Sequence, residues 1–446
     1  MMIKRFLVLS FLFGIVVSMS SQTAREEIKA DINKAASNHL AYPGPQKALT
    51  PAPKGKKPFY ISHYGRHGSR YLCGDNEYAM PKGVLTKAER NGKLTDLGKD
   101  VLRRVTLISN EADKRIGELT LLGAEQHRGI AKRMYERFPE VFADTAHIDA
   151  KSTVVIRCIL SMENAMQQFM AMNPKLKIRH DASNHDMYYM NFGKDWIENR
   201  RISKETRKTF EAWKKEHCVP DRLMGALFND PAYVKDSIPA SWFYSSLFKM
   251  AAIVQNQEAR HQIGLFDVFT EDEIYNLWEH DNISWYLGYG GNPQNNYLPP
   301  YVQRNLLRKI IEEADSCLQL EKPGATLRYG HETMVLPLSF LLELNNINMQ
   351  VTDINKITEN WQNYKFFPMA ANIQFIFYRK DLDDKDILVM VLLNEDEATL
   401  PVKTDCAPYY HWKDMREYYM NKLDNFVNNM DAIKAEANKK EWDRFW

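Results

Sequence analysis

The sequence predicts an α/β fold: a doubly wound, mostly parallel sheet with helices on both faces, together with a mostly helical inserted cap domain. Two observations carry this prediction. Several segments are apolar without interruption over the length of a strand, which is typical of strands that helices cover on both faces. Between about residues 166 and 317 such segments stop, and helix-like patterns and loops take over. That region holds five tryptophans: Trp196, Trp213, Trp242, Trp278 and Trp285.

The predicted strands are β-branched or continuously apolar runs of about strand length. They are residues 58–64 (PFYISHY), 152–157 (STVVIR), 325–331 (ATLRYGH), 369–379 (MAANIQFIFYR) and 386–394 (DILVMVLLN). Two helices stand out between them. Residues 119–138 form an amphipathic helix that Thr120 can cap, and residues 332–344 (ETMVLPLSFLLEL) form a more apolar one.

The first residues predict export. Lys4 and Arg5 precede an apolar run, and Ser18 and Ser20 follow it with the spacing of a signal-peptidase site. An anchoring helix is the alternative, but the run is short for a membrane span. We therefore expect a periplasmic or secreted protein. The predicted division is a signal peptide (1–20), a lead-in (21–54), a first core part (55–165), the helical cap (166–317) and a second core part (318–446).

Composition excludes some functions. The net charge of +2 on 446 residues does not suggest a nucleic-acid binder or a basic membrane binder, and no later segment reads as a membrane span. Of the five cysteines, one or two pairs could form in an exported protein, with at least one thiol left over. No Cys/His spacing typical of a metal site is present, and the oligomeric state stays open.

Charged and ionisable residues fall where three predicted strands end. They are Arg66, His67 and Arg70 after the first, Arg157 as the last residue of the second, and His331 and Glu332 after the third. In an open α/β sheet the carboxyl ends of the strands form the ligand-binding edge, so these segments should meet. Like charges repel, and a phosphoryl group would neutralise the cluster because arginine forks fit phosphate oxygens.

This pattern predicts phosphoryl chemistry. A histidine inside such a cluster can act as the nucleophile, and nearby cations should lower its pKa so that it stays neutral in mild acid. We expect His67 in this role. Glu332 is the predicted general acid that protonates the leaving oxygen. Taken singly, each residue has a bland interpretation: Arg157 as a surface ion pair, His331 as a core histidine.

The segments RHGSRY (66–71), GYG (288–290), MAANIQFIFY (369–378), VLLNE (391–395) and PYYHW (408–412) resemble the multiple inositol polyphosphate phosphatases, a branch of the histidine acid phosphatases, the clade that includes phytases. Four motifs resemble the histidine acid phosphatases as a whole. They are RHGSR (66–70), LTLLGAEQH (119–127), IRCILSMENAMQQF (156–169) and RYGHETMVLPL (328–338). The resemblance implies a phosphoglycerate-mutase-like core and a phosphorylated histidine at His67. It also implies that Arg66, Arg70, Arg157 and His331 hold the phosphate and that Glu332 donates the proton. It implies no metal and no organic cofactor.

Two positions depart from the family pattern. Leu72 stands where proline is common, and the donor motif reads His331-Glu332-Thr333. Most of the clade has His-Asp there, and the inositol polyphosphate branch has His-Ala-Glu. The acid is thus a glutamate, as in that branch, but it stands at the position where the rest of the clade has aspartate.

The expected partner is a small phosphomonoester, most consistent with an inositol polyphosphate. A broad-specificity acid phosphatase on sugar phosphates or other monoesters is the alternative. A mutase-like transferase fits export less well, and a non-catalytic phospholigand-binding protein would usually have lost His67 or Glu332. Basic residues that open the cap could hold additional phosphates or form a solvated helix face: Lys175, Lys177, Arg179, Lys194, Arg200, Arg201, Lys204, Arg207, Lys208, Lys214 and Lys215.

Overall fold

The computed structural model describes residues 23–191, 195–347 and 350–443. The predicted signal peptide and Lys194 lie outside these residues. None of the helices in the described ranges combines the length and hydrophobicity that crossing a membrane requires.

The described residues contain ten strands and sixteen α-helices. The strands are β1 (Lys57–Arg66), β2 (His147–Ser152), β3 (Lys177–Asp181), β4 (Ile202–Ser203), β5 (Gly324–Gly330), β6 (Asn372–Arg379), β7 (Leu388–Leu393), β8 (Asp396–Glu397), β9 (Tyr409–His411) and β10 (Trp442–Asp443). The helices are α1 (Ala24–Ala30), α2 (Asp75–Arg90), α3 (Asp96–Glu111), α4 (Leu121–Arg137), α5 (Ile156–Met172), α6 (Met187–Met190), α7 (Lys204–His217), α8 (Asp221–Leu227), α9 (Pro231–Ser237), α10 (Ala240–Ile253), α11 (Glu271–Tyr289), α12 (Arg304–Cys317), α13 (Glu332–Leu342), α14 (Ile357–Asn360), α15 (Trp412–Asn428) and α16 (Met430–Ala437). Short 3₁₀ helices connect them, including Ile32–His39.

A mixed sheet forms the centre of the molecule. Within the described residues it has eight strands in the order β3-β2-β5-β1-β6-β7-β8, and β9 also pairs with β7. The strands β3, β2, β5 and β1 run parallel, and β6 is antiparallel to β1. The predicted α/β class is confirmed, and the antiparallel half extends the sheet beyond β1.

The central strands are buried on both faces, as their apolar runs predict. Every residue of β5, β6 and β7 is buried, and β1 is buried from Tyr60 onward. Helix α4 also begins as predicted, because the Thr120 hydroxyl accepts a hydrogen bond from the Gly123 amide at 3.2 Å.

The predicted strand at 152–157 is wrong. The strand that occupies this place, β2, ends at Ser152, and Val155 already precedes the first turn of α5. The apolar residues that suggested a strand start a helix, because Cys158, Met162 and Phe169 follow at helical spacing and are all buried. Pairing with β3 and β5 stabilises the more polar HIDAKS segment as the strand instead.

The region expected to form the cap is mostly helical, from α6 to α12. Its first part belongs to the sheet, however, because α5 continues to Met172 and β3 pairs with β2. The last described strand, β10, pairs with β4 inside the helical region. All five cysteines carry free thiols, so the one or two disulfides that the sequence allowed are not present.

Candidate active site

The parallel strands β1 and β5 place two histidines side by side. Arg66, the last residue of β1, is in register with Gly330, the last residue of β5. The next residues are therefore His67 and His331, whose ring centroids lie 5.7 Å apart. The amide of His67 also donates to the carbonyl of Gly330 at 2.9 Å. The two predicted strand ends thus meet at one edge of the sheet.

The imidazole of His67 is fully buried and has a defined orientation. Its Nδ1 lies 2.9 Å from the carbonyl oxygen of Gly68. A carbonyl can only accept, so Nδ1 carries the proton and the lone pair of Nε2 points into the site. Burial, followed by the charges of Arg66 and Arg157, lowers the pKa of His67 well below its ordinary value, although Glu332 opposes this. The ring is therefore neutral, with a free nitrogen.

Arg66 is held rigidly at the end of β1. Its Nη1 donates to the carbonyl oxygens of Asn38 at 2.6 Å and Phe367 at 2.9 Å. Its Nε and Nη2 are buried without a hydrogen-bond partner. Burial, with the neighbouring Arg70 and Arg157, lowers its pKa to about 10, and Glu332 counteracts the shift. The guanidinium remains charged and presents two donors to the site.

Arg70 and Arg157 complete the predicted arginine cluster. Arg70 is buried, with its Nη1 on the carbonyl of Tyr71 and its Nε unpartnered. Arg157 lies in the first turn of α5 rather than at a strand end, and its Nε is likewise buried without a partner. Arg157 lies at the amino terminus of α5, and this helix end points to the same edge of the sheet. Such an arrangement favours binding of an anion.

Glu332 is the negative group among these cations. Its Oε2 lies 3.1 Å from Nε of Arg66 and 3.5 Å from Nε2 of His67, and its Oε1 lies 3.9 Å from Nη2 of Arg70. Burial raises the pKa of its carboxyl, but Arg66, His67 and Arg70 outweigh burial and hold that pKa well below its usual range. The ionised carboxylate thus occupies the place where the arginine donors and the His67 lone pair converge.

His331 has partners of its own. Its Nε2 lies 3.2 Å from the hydroxyl of Thr153, and the Cys158 sulfur lies 3.7 Å from the same nitrogen. Burial, with the nearby arginines, lowers the pKa of His331 to about 4, against the opposing effect of Glu332. Sequence reasoning misses Thr153, although placing the end of β2 at Ser152 would have identified it as a residue at the same edge.

The sequence patterns also miss two cationic or ionisable neighbours. His39 ends the 3₁₀ helix Ile32–His39, and burial together with Arg70, Arg66 and Lys249 lowers its pKa well below the ordinary value. Lys249 comes from α10 and pairs with Glu77 at 3.3 Å. No local pattern marks either residue, because only the packing of distant helices brings them beside the arginines.

The loop that carries Arg66, His67 and Arg70 rests on the start of α4. The amide of Ser69 donates to Oε1 of Gln126 at 2.8 Å, and Nε2 of Gln126 donates to the Ser69 hydroxyl at 2.8 Å. The Thr120 hydroxyl donates to the Ser69 carbonyl at 3.1 Å. These contacts give a physical reason for the LTLLGAEQH motif, which clamps the RHGSR loop.

Comparison with known proteins identifies the family. The family model described as "Histidine phosphatase superfamily (branch 2)" matches residues 65–394, which include every residue of the cluster. The chain belongs to this family. It is a histidine phosphatase, an enzyme of the histidine acid phosphatase type. A search of curated proteins found no match.

Solved structures share the fold of this histidine phosphatase. The multiple inositol polyphosphate phosphatase of Bifidobacterium longum in complex with phosphate is 17% identical, with a TM-score of 0.71 over 86% of this chain and 97% of that chain. Its complex with inositol hexasulfate is 18% identical, with a TM-score of 0.68 and the same coverage. The phytase from D. castellii is 15% identical, with a TM-score of 0.63 over 88% of this chain and 84% of that chain.

The predicted departure at the donor motif is visible in the histidine phosphatase. Glu332 is the first residue of α13, and it follows His331, which is the N-cap residue of that helix. Thr333 follows, and its hydroxyl is buried without a hydrogen-bond partner. Position 333 therefore offers no carboxyl, whereas the Glu332 carboxylate already contacts His67.

Gly68 provides a test of the loop in this histidine phosphatase. A Cβ at Gly68 would lie 2.3 Å from the carbonyl oxygen of Gly123, which is backbone and cannot rotate away. We expect Gly68→Ala to lower the free energy of unfolding by about 1–3 kcal/mol and to reduce phosphatase activity by displacing His67. Denaturant unfolding and phosphate release measure the two effects.

Gly83 is the matched control. It lies inside α2, and a Cβ added there would have no heavy atom within 4 Å, so Gly83→Ala adds a methyl group without a clash. The free energy of unfolding of this control should rise by about 0.5–1 kcal/mol, because alanine has a higher helix propensity than glycine. Equal stability and activity of the two variants would show that the Gly68–Gly123 approach does not hold the loop.

Proposed function

We propose that this histidine phosphatase hydrolyses phosphomonoesters through a phosphohistidine at His67, with inositol polyphosphates as its substrate class. One observation carries the mechanism. The neutral His67 ring directs Nε2 to the place where buried donors of Arg66, Arg70 and Arg157 also make no hydrogen bond, and the Glu332 carboxylate is the anion there. A phosphoryl group supplies the acceptors for those donors and places phosphorus next to the nucleophilic nitrogen.

The proposed reaction has two steps. In the first, Nε2 of His67 attacks phosphorus, the bond to the ester oxygen breaks, and Glu332, which takes up a proton from solvent when the phosphate binds beside it, gives that proton to the leaving alcohol. In the second, water attacks phosphorus, its proton passes to Glu332, and the bond between nitrogen and phosphorus breaks. The Nδ1 proton stays hydrogen-bonded to the Gly68 carbonyl throughout, and this bond stabilises the charge that develops on the ring.

The arginines have the binding role in this scheme. Arg66 and Arg70 are rigid and buried, and Arg157 enters from the start of α5. Three guanidinium groups can neutralise the charge that spreads over the equatorial oxygens in the transition state. His331, oriented by Thr153, faces the same oxygens from β5. Phosphoryl transfer needs chiefly this positioning and charge stabilisation, and the residues present supply both.

Inositol polyphosphates are supported by the fold comparison and by charge. The similar B. longum protein is named a multiple inositol polyphosphate phosphatase, and one of its structures is a complex with inositol hexasulfate. In this chain Lys249 lies near enough to His39 to lower its pKa together with Arg70 and Arg66, and so adds a cation to the neighbourhood of the cluster. Its side chain is 50% exposed, so it is accessible to a second phosphate group on the same ring.

Many of the cap cations are not available for this role. Lys177 begins β3 opposite His147, the first residue of β2, so it lies at the edge of the sheet away from His67. Arg201 is buried against Glu198 at 2.9 Å, and Lys204 pairs with Glu441 at 3.1 Å. Lys208 and Lys215 lie on the exposed face of α7. The solvated-face interpretation therefore fits Lys204, Lys208 and Lys215, and Lys249 carries the charge argument for the proposal.

Salt dependence tests the substrate class. An inositol hexakisphosphate carries many charges, so its attraction to exposed cations is screened as ionic strength rises. We expect kcat/KM for this substrate to fall steeply with added NaCl, and kcat/KM for p-nitrophenyl phosphate to fall only weakly. Released phosphate, assayed for both substrates in the same salt series, measures the difference.

A variant sharpens the salt experiment. Lys249→Gln should weaken the salt dependence for inositol hexakisphosphate and leave the monophosphate unchanged, while the exposed Lys215→Gln serves as the control. Equal salt dependence for the two substrates would favour the broad-specificity acid phosphatase. Transfer of phosphate to a second alcohol without release would favour a mutase-like transferase, and saturable binding without turnover would indicate a binding protein.

A further inference from the structure

A second cluster of ligand-type side chains lies around His411, at the end of β9. The Nε2 of His411 lies 2.9 Å from Oδ1 of Asp405 and 3.9 Å from the sulfur of Cys406. Its Nδ1 lies 2.6 Å from Oδ1 of Asp386. One atom from each of Asp405, Cys406 and His411 falls within 4.8 Å of the other two. A thiol, an imidazole and a carboxyl thus converge from a short loop and a strand end.

This geometry is close to that of a tetrahedral zinc site. Zinc bonds to sulfur, nitrogen and oxygen of about 2.3, 2.0 and 2.0 Å place neighbouring ligand atoms roughly 3.3–3.6 Å apart. The distance from His411 Nε2 to Cys406 must shorten slightly, and the distance to Asp405 must lengthen slightly. Both partners lie in a loop, and the Asp405 side chain is 85% exposed, so these shifts meet little resistance.

The other nitrogen of His411 already has the partner that a metal-bound histidine requires. Histidines that bind metals commonly donate their remaining N–H to a carboxylate, which fixes the ring and makes it a stronger ligand. Asp386 accepts from Nδ1 in this way. Asp386 is in turn held by Lys56, whose Nζ lies 3.4 Å from its Oδ2.

The loop is shaped before any metal binds. The Thr404 hydroxyl donates to the carbonyl of Tyr409 at 2.7 Å and accepts from the amide of Cys406 at 3.3 Å. These bonds fold the loop back on β9, where the Cys406 sulfur lies 3.4 Å from the Thr404 hydroxyl, 3.6 Å from the Tyr409 carbonyl and 3.9 Å from His411.

The electrostatic setting distinguishes this cluster from the catalytic one. His67, His331 and Glu332 also converge within 4.8 Å. They lie among Arg66, Arg70 and Arg157, which repel a cation. Around His411 the neighbouring charges are two aspartates, and Lys56 is directed mainly to Asp384 at 2.7 Å.

We propose that Asp405, Cys406 and His411 bind one divalent transition metal ion of the zinc type, with Asp386 orienting His411 and water completing the coordination. Thiolate and imidazole ligands favour zinc over magnesium or calcium. Binding replaces one proton on Nε2 of His411 and one on the Cys406 thiol, so two protons leave for each metal ion bound.

The bound ion would stabilise the sheet and leave the chemistry unaffected. It joins the β6–β7 connection, through Asp386, to the loop before β9. Lys56 lies beside it, immediately before β1, whereas Arg66 ends β1 at the catalytic edge. The ten residues of β1 separate the two sites by roughly 30 Å. The test of this metal site is therefore independent of the test of the proposed function.

Cobalt is the spectroscopic probe. Full-length protein, freed of metal with a chelator and kept reduced, is titrated with CoCl₂. We expect one equivalent to bind with a thiolate-to-cobalt charge-transfer band, which ZnCl₂ then abolishes. ZnCl₂ should also raise the unfolding temperature of the wild type and leave its phosphate release unchanged.

Variants assign the ligands. Cys406→Ser should remove the charge-transfer band, and the exposed Asp405→Asn should weaken cobalt binding at least about tenfold without loss of fold. Asp386→Asn should keep the band and lower the affinity by about 10–100-fold. Cys73→Ser, at another exposed thiol, should behave as the wild type.

The overturning results are equally specific. Absence of a thiolate band in the wild type, or its persistence in Cys406→Ser, would disprove the site. Loss of the band in His67→Ala with retention in Cys406→Ser would place the metal in the catalytic cluster instead.

Discussion

The His67→Ala variant is expected to lose at least about a thousand-fold in kcat for inositol and aryl phosphates alike, because the proposed phosphoenzyme forms on His67. Acid quenching of the wild type during turnover of a labelled phosphomonoester should trap the label on His67. The variant should trap none. Phosphate release and peptide mapping of the quenched protein measure the two results.

The fold should survive this change. The buried imidazole makes one hydrogen bond with the Gly68 carbonyl, and the loss of one such bond costs on the order of 1 kcal/mol. Circular dichroism and the unfolding midpoint check the fold. His261→Ala, at a histidine 64% exposed on the surface, is the matched control and should keep full activity. A label found on serine, or near-normal turnover by His67→Ala, would contradict the mechanism.

The Glu332→Gln variant is expected to separate substrates by their leaving groups. An inositol alkoxide needs a proton as it departs, so its kcat should fall by about a hundredfold to ten-thousandfold. Nitrophenolate is a stable anion, so p-nitrophenyl phosphate should lose much less. The exposed Glu312→Gln is the control. Equal losses for the two substrates would show that Glu332 is not the general acid.

The same variant should bind inorganic phosphate more tightly. The ionised Glu332 carboxylate lies 3.1 Å from Arg66 and 3.5 Å from His67, in the place proposed for the phosphoryl group. Replacing the carboxylate with an amide removes this competing charge. The inhibition constant for phosphate, measured with p-nitrophenyl phosphate as the substrate, should therefore fall. A higher inhibition constant would argue that Glu332 and phosphate do not share the same cations.

The pH profile should follow from the two shifted pKa values. Burial and the arginines keep His67 neutral well below its ordinary pKa of about 6.5, so activity should not decline between pH 6.5 and 5. The pKa of Glu332 is depressed in the free enzyme, and a bound phosphate beside it raises that pKa. For an inositol ester, kcat should therefore fall as pH rises and Glu332 loses its proton, and Glu332→Gln should flatten that fall.

Much of the site could be predicted because its residues sit next to strong local signals. The apolar runs of β1 and β5 end directly before His67 and His331, and parallel neighbours share one edge. The Thr120 cap and the glycine at 123 also belong to a pattern that is readable along the chain. These features depend on contacts between residues that are close in sequence or on the rule that parallel strand ends coincide.

The location of Arg157 could not be predicted in the same way. Local propensity favoured a strand for the valines and isoleucine before it, but packing of Cys158 and its helical neighbours against the core made this segment the start of α5. The real strand, β2, is more polar and depends on hydrogen bonds to β3 and β5. Strand pairing over long sequence separations overrode the local preference.

By itself the sequence determined the α/β class, the histidine phosphatase motifs, and the arginines, histidines and glutamate that converge. Only the tertiary structure decided that the sheet is mixed, that Glu332 contacts both Arg66 and His67, and that His411 meets Asp386. The physical reason is the sequence separation between the residues that interact. Periodicity and capping are encoded within a few residues, whereas the ion pairs and side-chain distances that set charge and reactivity depend on segments that meet only when the sheet is assembled.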